Sequence, residues 1–168
     1  DIITGKTRPD VGRVVWGEDT DLTKMDEASS ARLGIGRKFQ KPTVFETQTV
    51  ETNLMLSLAG NRGVIATLLH KLSGGEAKRI DELLELVRLT EARGRLAGSL
   101  SHGQKQWLEI GMLLAQDPKL LLVDEPAAGM NPEETADLAR RLRGLPAERG
   151  VGLLLIDHDL PFVMSLCE

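Results

Sequence analysis

The sequence predicts an α/β fold, a parallel sheet with helices packed on it, interrupted by an all-helical stretch. Two observations carry this. Leu120-Leu121-Leu122-Val123 and Val151 to Ile156 are continuous apolar runs without alternation, as strands buried on both faces require. Between them Pro132 to Leu142 reads as a helix, with Asn131 placed to cap it and Pro132 at its first position. Strand, helix and strand with short links form a βαβ unit, and such units build parallel sheets. The second observation is the middle of the chain: from about Pro42 to Asp117 the apolar period is helical throughout.

The remaining elements follow in order. Asp1 to Gly5 reads as the last turn of a helix, Thr4-Gly5 forming its cap and Pro9 following shortly. Val11 to Trp16 is a strand candidate ending at Gly17, and Glu18 to Thr23 is polar and loop-like. Lys24 to Leu33 is a short helix closed by Gly34, and Gly34 to Phe39 suits a strand leading to Gln40 and the turn-forming Lys41-Pro42. Val50 to His70 is helical, broken by Gly60 and Gly63. In Glu76 to Arg88, Ile80, Leu83, Leu84 and Val87 fall on one face. Gln104 to Ala115 is a further helix, ended by Asp117-Pro118. Three segments result: a partial core at 1–41, a helical lobe at 42–117 and a second core part at 118–168.

Composition narrows the function. The 168 residues are 41% hydrophobic and 27% charged, with a formal charge of −4, so no basic field recruits nucleic acid. Aromatic residues make up 3%, too few for base-stacking platforms. Cys167 is the single cysteine, which excludes an internal disulfide and reads as a cytosolic habit; a plain thiol is the better reading than a nucleophile, because no His lies near it in sequence. No apolar run approaches the roughly 18 to 20 residues that span a bilayer, and no signal peptide opens the chain. Membrane contact is therefore expected through partners only.

Functional groups in open parallel sheets collect at the carboxyl ends of strands. Gln40 follows the first strand, Asp124-Glu125 the second and His158 the third. An aspartate fixed at the end of an apolar strand is able to hold Mg²⁺, and a neighbouring glutamate to orient or deprotonate a water that attacks a γ-phosphate. The plainer reading of the pair is an acidic turn. Leu100-Ser101-His102-Gly103-Gln104 opens a helix, where a hydroxyl, backbone N–H groups and the positive helix end suit a phosphate. The plainer reading is a Ser N-cap. His158 at a strand end suits a γ-phosphate, although a lone His is more often structural. His70 and His102 have no metal-ligand spacing to His158 or to each other, which excludes zinc.

Together these motifs resemble the nucleotide-binding subunits of ABC transporters. Gln40 matches the Q-loop, Leu100 to Gln104 the signature motif, Leu120 to Glu125 the Walker B strand with its catalytic glutamate, Gly129-Met130-Asn131-Pro132 the D-loop region and His158 the switch histidine. Twenty residues separate Gln104 from Asp124, and 33 separate Glu125 from His158, in the family's order. Arg37 to Glu46 and Ser99 to Gly111 look like the urea-type subunit, with the branched-chain amino acid importers close by. Two decoys are set aside. Leu72-Ser73-Gly74-Gly75-Glu76 imitates a signature motif too far ahead of Walker B, and Gly5-Lys6-Thr7 imitates the end of a phosphate loop without its first Gly.

The resemblance implies a P-loop NTPase core of RecA type, incomplete at its N-terminal side, with an inserted helical subdomain. It implies ATP and Mg²⁺ as cofactors, with Asp124 and Gln40 toward the metal. Glu125 and His158 become the catalytic groups, and Gln40, Ser101, His102, Gly103, Gln104 and Asn131 the nucleotide-binding ones. The implied partners are a second ATP-binding subunit, head to tail, and transmembrane permease subunits, which would hold the protein on the inner face of the cell membrane. His102 stands where Gly is frequent in the family, Asp157 where Glu is usual, and Asn131 where Asp is common. The chain is expected to begin just after the P-loop and to be inactive alone. The P-loop strand is expected between the Asp124 strand and the one ahead of His158, so that its loss exposes two strand edges and favours self-association.

Overall fold

The structure, a computed structural model, describes residues 1–37, 44–58 and 73–167, with the Cys167 side chain excluded. Residues 1–6 close a helical turn. The amide of Gly5 donates to the Ile2 carbonyl and that of Lys6 to the Asp1 carbonyl, both at 3.1 Å, with Gly5 at φ +77°. This is the paired bonding of a left-handed glycine cap, as the sequence suggests.

The first strand is shorter than expected. β1 is Val15–Trp16 and pairs antiparallel with β2, Thr20–Asp21, inside the stretch read as a loop. Gly17 turns the hairpin at φ +66°, while Val11 is 90% exposed and joins no strand. The expected helix from Lys24 splits in two. A 3₁₀ turn covers Leu22–Lys24, and α1 is Glu27–Arg32, capped by the Asp26 carboxylate, which accepts from the Ser29 amide at 2.8 Å. The cap residue resets the helix start, because the Asp side chain satisfies an amide that a longer helix would bond internally.

A second sheet runs in the order β3-β4-β5, with β3 Ile35–Arg37, β4 Leu120–Asp124 and β5 Gly152–Ile156, all parallel. β4 pairs directly with β5 from Leu120↔Gly152 to Asp124↔Ile156. This corrects the expectation of a strand between them: a continuous five-residue ladder leaves no room for another. On this sheet lies α5, Pro132–Arg149, which buries Leu138, Ala139, Leu142 and Leu145. The helix runs past the expected end at Leu142 and through Pro146. An interior proline costs about 3 kcal/mol, and the apolar face seated on the sheet offsets that. Gly150, at φ +64°, stops it. The last element is α6, Leu160–Cys167.

The middle of the chain packs three described helices: α2 Val50–Leu58, α3 Gly74–Leu86 and α4 His102–Leu114. Ser73, part of the decoy motif, caps α3 through a reciprocal pair with Glu76, as a capping box does. α4 is the central helix, with Leu108, Ile110 and even Gln106 and Glu109 buried. At Gly111 an added Cβ would lie 3.1 Å from Val87 and 3.2 Å from Leu54, so the absent side chain sets the helix approach. Asn53 is fully buried. It accepts from the Phe45 amide at 2.8 Å and donates to the carbonyls of Phe45 and Thr49 at 3.1 and 2.9 Å, tying the loop ahead of α2 onto that helix. Arg141 of α5 reaches this region, lying 5.6 Å from the Trp107 ring centre and donating to Asp137 at 3.0 Å. The buried side chains of α3, α4, β4 and α5 belong to one continuous core.

Candidate nucleotide site

Two strand ends build the first half of the site. The apolar β4 delivers Asp124 at its carboxyl end, level with Ile156 of β5. Glu125 then turns sharply, at φ +46°, with its amide donating to the Ile156 carbonyl at 2.8 Å. Left-handed backbone on a non-glycine residue is costly, and such outliers gather where a side chain must be aimed. Beyond β5, His158 Nε2 lies 3.2 Å from Glu125 Oε1. The His158 side chain is 89% exposed and that of Glu125 40%. Between them, Asp157 folds its own loop: its Oδ1 accepts from the Asp159 amide at 2.9 Å, while its buried Oδ2 has no hydrogen-bond partner among the described residues. Asp124 shares a small hollow with Asp1, Ile3, Arg37, Leu122 and Ile156. Arg37 pairs there with the Asp1 carboxylate and donates to Thr4 Oγ1 at 3.3 Å, which places a cation beside Asp124.

The start of α4 builds the second half. Ser101 Oγ accepts from the Gln104 amide at 3.2 Å, and Gln104 Oε1 accepts from the Ser101 amide at 3.1 Å. The N-cap reading of Ser101 therefore holds; it leaves the hydroxyl hydrogen available to a ligand. Asn131 caps α5 in the same reciprocal manner with Glu134, at 2.9 and 3.0 Å. The two helix starts adjoin: a Cβ on Gly103 would lie 3.1 Å from Glu134 Oε1. His102 turns inward, its Nε2 3.1 Å from the Ala128 carbonyl oxygen.

Thus Asp124, Glu125 and His158 come together at adjacent strand tips. Ser101, His102, Gly103, Gln104 and Asn131 come together at two adjoining helix starts. The loop from Glu125 to Asn131 connects the groups. Gln40, Lys41-Pro42 and His70 lie outside the described residues. Sequence reasoning missed Gln106, Glu134 and Arg37. Gln106 carried one usable signal, a position four residues after His102 and hence on the same helix face.

The donor set suits a hard cation. Among the described residues no three His, Cys, Asp or Glu side chains form a metal cage. Asp124 and Glu125 offer carboxylate oxygens, and Mg²⁺ commonly takes one or two protein carboxylates with phosphate oxygens completing its shell. No helix among the described residues is long and apolar enough to cross a membrane.

Comparison with known proteins gives this geometry its context. Residues 1–128 match the family described as ABC transporter. The chain is 35% identical to the high-affinity branched-chain amino acid transport ATP-binding protein BraF of Pseudomonas aeruginosa, over 99% of this chain and 68% of that protein. It is 35% identical to the methionine import ATP-binding protein MetN of Haemophilus ducreyi over 96% of this chain, but spans only 45% of that relative. It is 32% identical to the lipopolysaccharide export system ATP-binding protein LptB of Haemophilus influenzae, over 99% of this chain and 66% of that one. The ADP conformation of an ATP-binding cassette of an ABC transporter superposes with a TM-score of 0.80 at 32% identity, covering 98% of this chain and 66% of the cassette. The parallel sheet with its helical companion is the P-loop NTPase fold of these cassettes. By sequence and by fold, the chain belongs to the ATP-binding subunits of the ABC transporter family.

Proposed function

We propose that this chain is the catalytic part of the ATP-hydrolysing subunit of an importer for urea or branched-chain amino acids. The observation that carries the reading is the strand-tip cluster, with His158 Nε2 3.2 Å from Glu125 Oε1 beside Asp124. ATP with Mg²⁺ supplies the phosphoryl electrophile and its charge neutralisation. Asp124 holds the metal, with Gln40 assigned to the same duty. Glu125 orients the attacking water and accepts its proton, and His158 donates toward the γ-phosphate while touching Glu125. Ser101, Gly103 and Gln104 act on the nucleotide of a second subunit bound head to tail, through the Ser101 hydroxyl and the positive start of α4. The segment following Gln40 presses on a permease subunit, which keeps the protein at the inner membrane face. In the domain reading, 1–41 and 118–168 form the catalytic core and 42–117 the lever.

Hydrolysis also needs a phosphate-binding loop to cradle the phosphates. The import reading is supported by the branched-chain amino acid name of one relative; the export name of another makes direction an outcome to be measured. A second reading, a non-catalytic remnant or a soluble ATPase, competes with it. In the intact subunit, Glu125→Gln should lower steady-state ATPase by about 10² to 10⁴-fold while leaving ATP binding in place. Full activity in that variant would remove Glu125 from the role, and no ATPase in the wild-type subunit would favour the remnant.

A further inference from the structure

His102 stands at the mouth of α4, yet its contacts point back into its own chain. Its Nε2 is 3.1 Å from the Ala128 carbonyl oxygen. Gln106, one turn further on, donates from Nε2 to the same oxygen at 2.9 Å, and the two Nε2 atoms are 3.0 Å apart. A carbonyl oxygen has two lone pairs and accepts from both side chains when the imidazole carries its proton on Nε2. A bare Nε2 would set its lone pair against that of the carbonyl oxygen at 3.1 Å, so the protonated nitrogen fits this contact, with the Gln106 amide nitrogen crowded against it at 3.0 Å. Gly129 makes the contact possible: it sits at φ +76°, and a Cβ there would lie 3.0 Å from His102 Cδ2. The other end of the Ala128 unit is held as well, its amide donating to the Glu125 carbonyl at 3.2 Å. One carbonyl therefore joins the first turn of α4 to the turn that aims Glu125.

We propose that His102 and Gln106 are positioning residues, two donors on α4 that clamp the Ala128 carbonyl and so hold the Glu125–Ala128 turn in register. This inference rests on the reading of Glu125 as the catalytic glutamate and deepens it. Gln106 is 6% exposed and fixes the carbonyl from the inside, whereas His102 is exposed and adds the second donor at the rim. Any tilt of the α4 start pulls His102 and Gln106 away from Ala128 and loosens Glu125. Neither side chain touches the reacting atoms. The departure from the frequent glycine at position 102 thereby acquires a use other than a phosphate donor.

The test compares wild type, His102→Leu, which keeps bulk without a donor, and His102→Gln, which restores one. It uses the intact subunit and two readouts, ATPase kinetics and amide hydrogen exchange of peptides covering 125–131. His102→Leu should lower kcat about tenfold, the order of one lost hydrogen bond, with KM for ATP changed less than about twofold. Exchange at 125–131 should quicken in His102→Leu and return in His102→Gln, along with kcat. Unchanged kcat and exchange in His102→Leu overturn the clamp while the ATPase reading stands. Failure of His102→Gln to restore either readout overturns the donor role. A wild-type subunit without ATPase sinks the catalytic reading, and exchange alone then decides the clamp: quickening in His102→Leu reversed by His102→Gln supports it, no change overturns it.

Discussion

The helical middle and the parallel sheet are built to different standards of closure. In the helices, Leu54, Ile80, Leu83 and Leu108 are fully buried, and α4 is enclosed on nearly all sides. In the sheet, β4 alternates half-buried and buried, but β5 leaves Leu154 42% and Ile156 58% exposed, beside the strand tips that carry Asp124 and His158. The comparison teaches where each region keeps its stability. The middle keeps its stability in burial, whereas the sheet keeps an accessible apolar face and carries polar strand tips at the same end. Single substitutions should therefore cost much in the first region and little on the open face of the second.

The largest effect is expected from Leu108→Ala, which should destabilise by about 2 to 5 kcal/mol because the surrounding helices cannot collapse into the space. Thermal unfolding with Leu108→Ala costing no more than an exposed substitution would break the contrast. Asn53→Ala should cost about 1 to 3 kcal/mol, since it strands the buried partners that this side chain serves. Asn53→Asp, which retains only the acceptor for the Phe45 amide, separates the lost donors from the lost packing. Ser73→Ala removes a reciprocal cap and should cost about 1 kcal/mol in the same assay. Ile156→Thr should stay within about 0.5 kcal/mol; a larger loss would show that the β5 face is packed against something in solution, which sharpens the comparison rather than the site.

The smallest effect is a pH dependence. The hydroxyl and amide of Ser29 hold the Asp26 carboxyl below its ordinary range. A carboxylate whose folded pKa is depressed lends stability that is complete above its unfolded value and is lost as pH falls through the lowered folded one. Acid titration of α1, followed by exchange at 27–32, should show loss below the ordinary aspartate range in wild type and a flat profile in Asp26→Asn.

Much of the architecture was legible because it depends on local chemistry. Leu120 to Val123 and Val151 to Ile156 announced strands by composition, although β5 keeps Leu154 and Ile156 exposed and is not buried on both faces as its apolar run suggested. Asn131-Pro132 announced a helix start by cap and ring. The Gly5 cap and the Asp124-Glu125 strand end were readable for the same reason. The failures share a cause as well. The β1-β2 hairpin at Thr20-Asp21 exists only because a partner strand satisfies polar residues that look loop-like alone. The run of α5 through Pro146 follows from an apolar face seated on the sheet, a tertiary gain that outweighs a local breaker.

The site divides along the same line. The motif order at Ser101 to Gln104, Asp124-Glu125 and His158, and the family to which it belongs, were properties of the sequence by itself, because residue type and spacing carry them. Tertiary structure alone decided that β4 lies directly beside β5, that His158 touches Glu125, and that His102 and Gln106 meet at the Ala128 carbonyl. Each is a contact between residues more than twenty positions apart, and no local pattern encodes which neighbour a strand or ring will find. Ladder pairing and side-chain packing make that choice only once the whole core has formed.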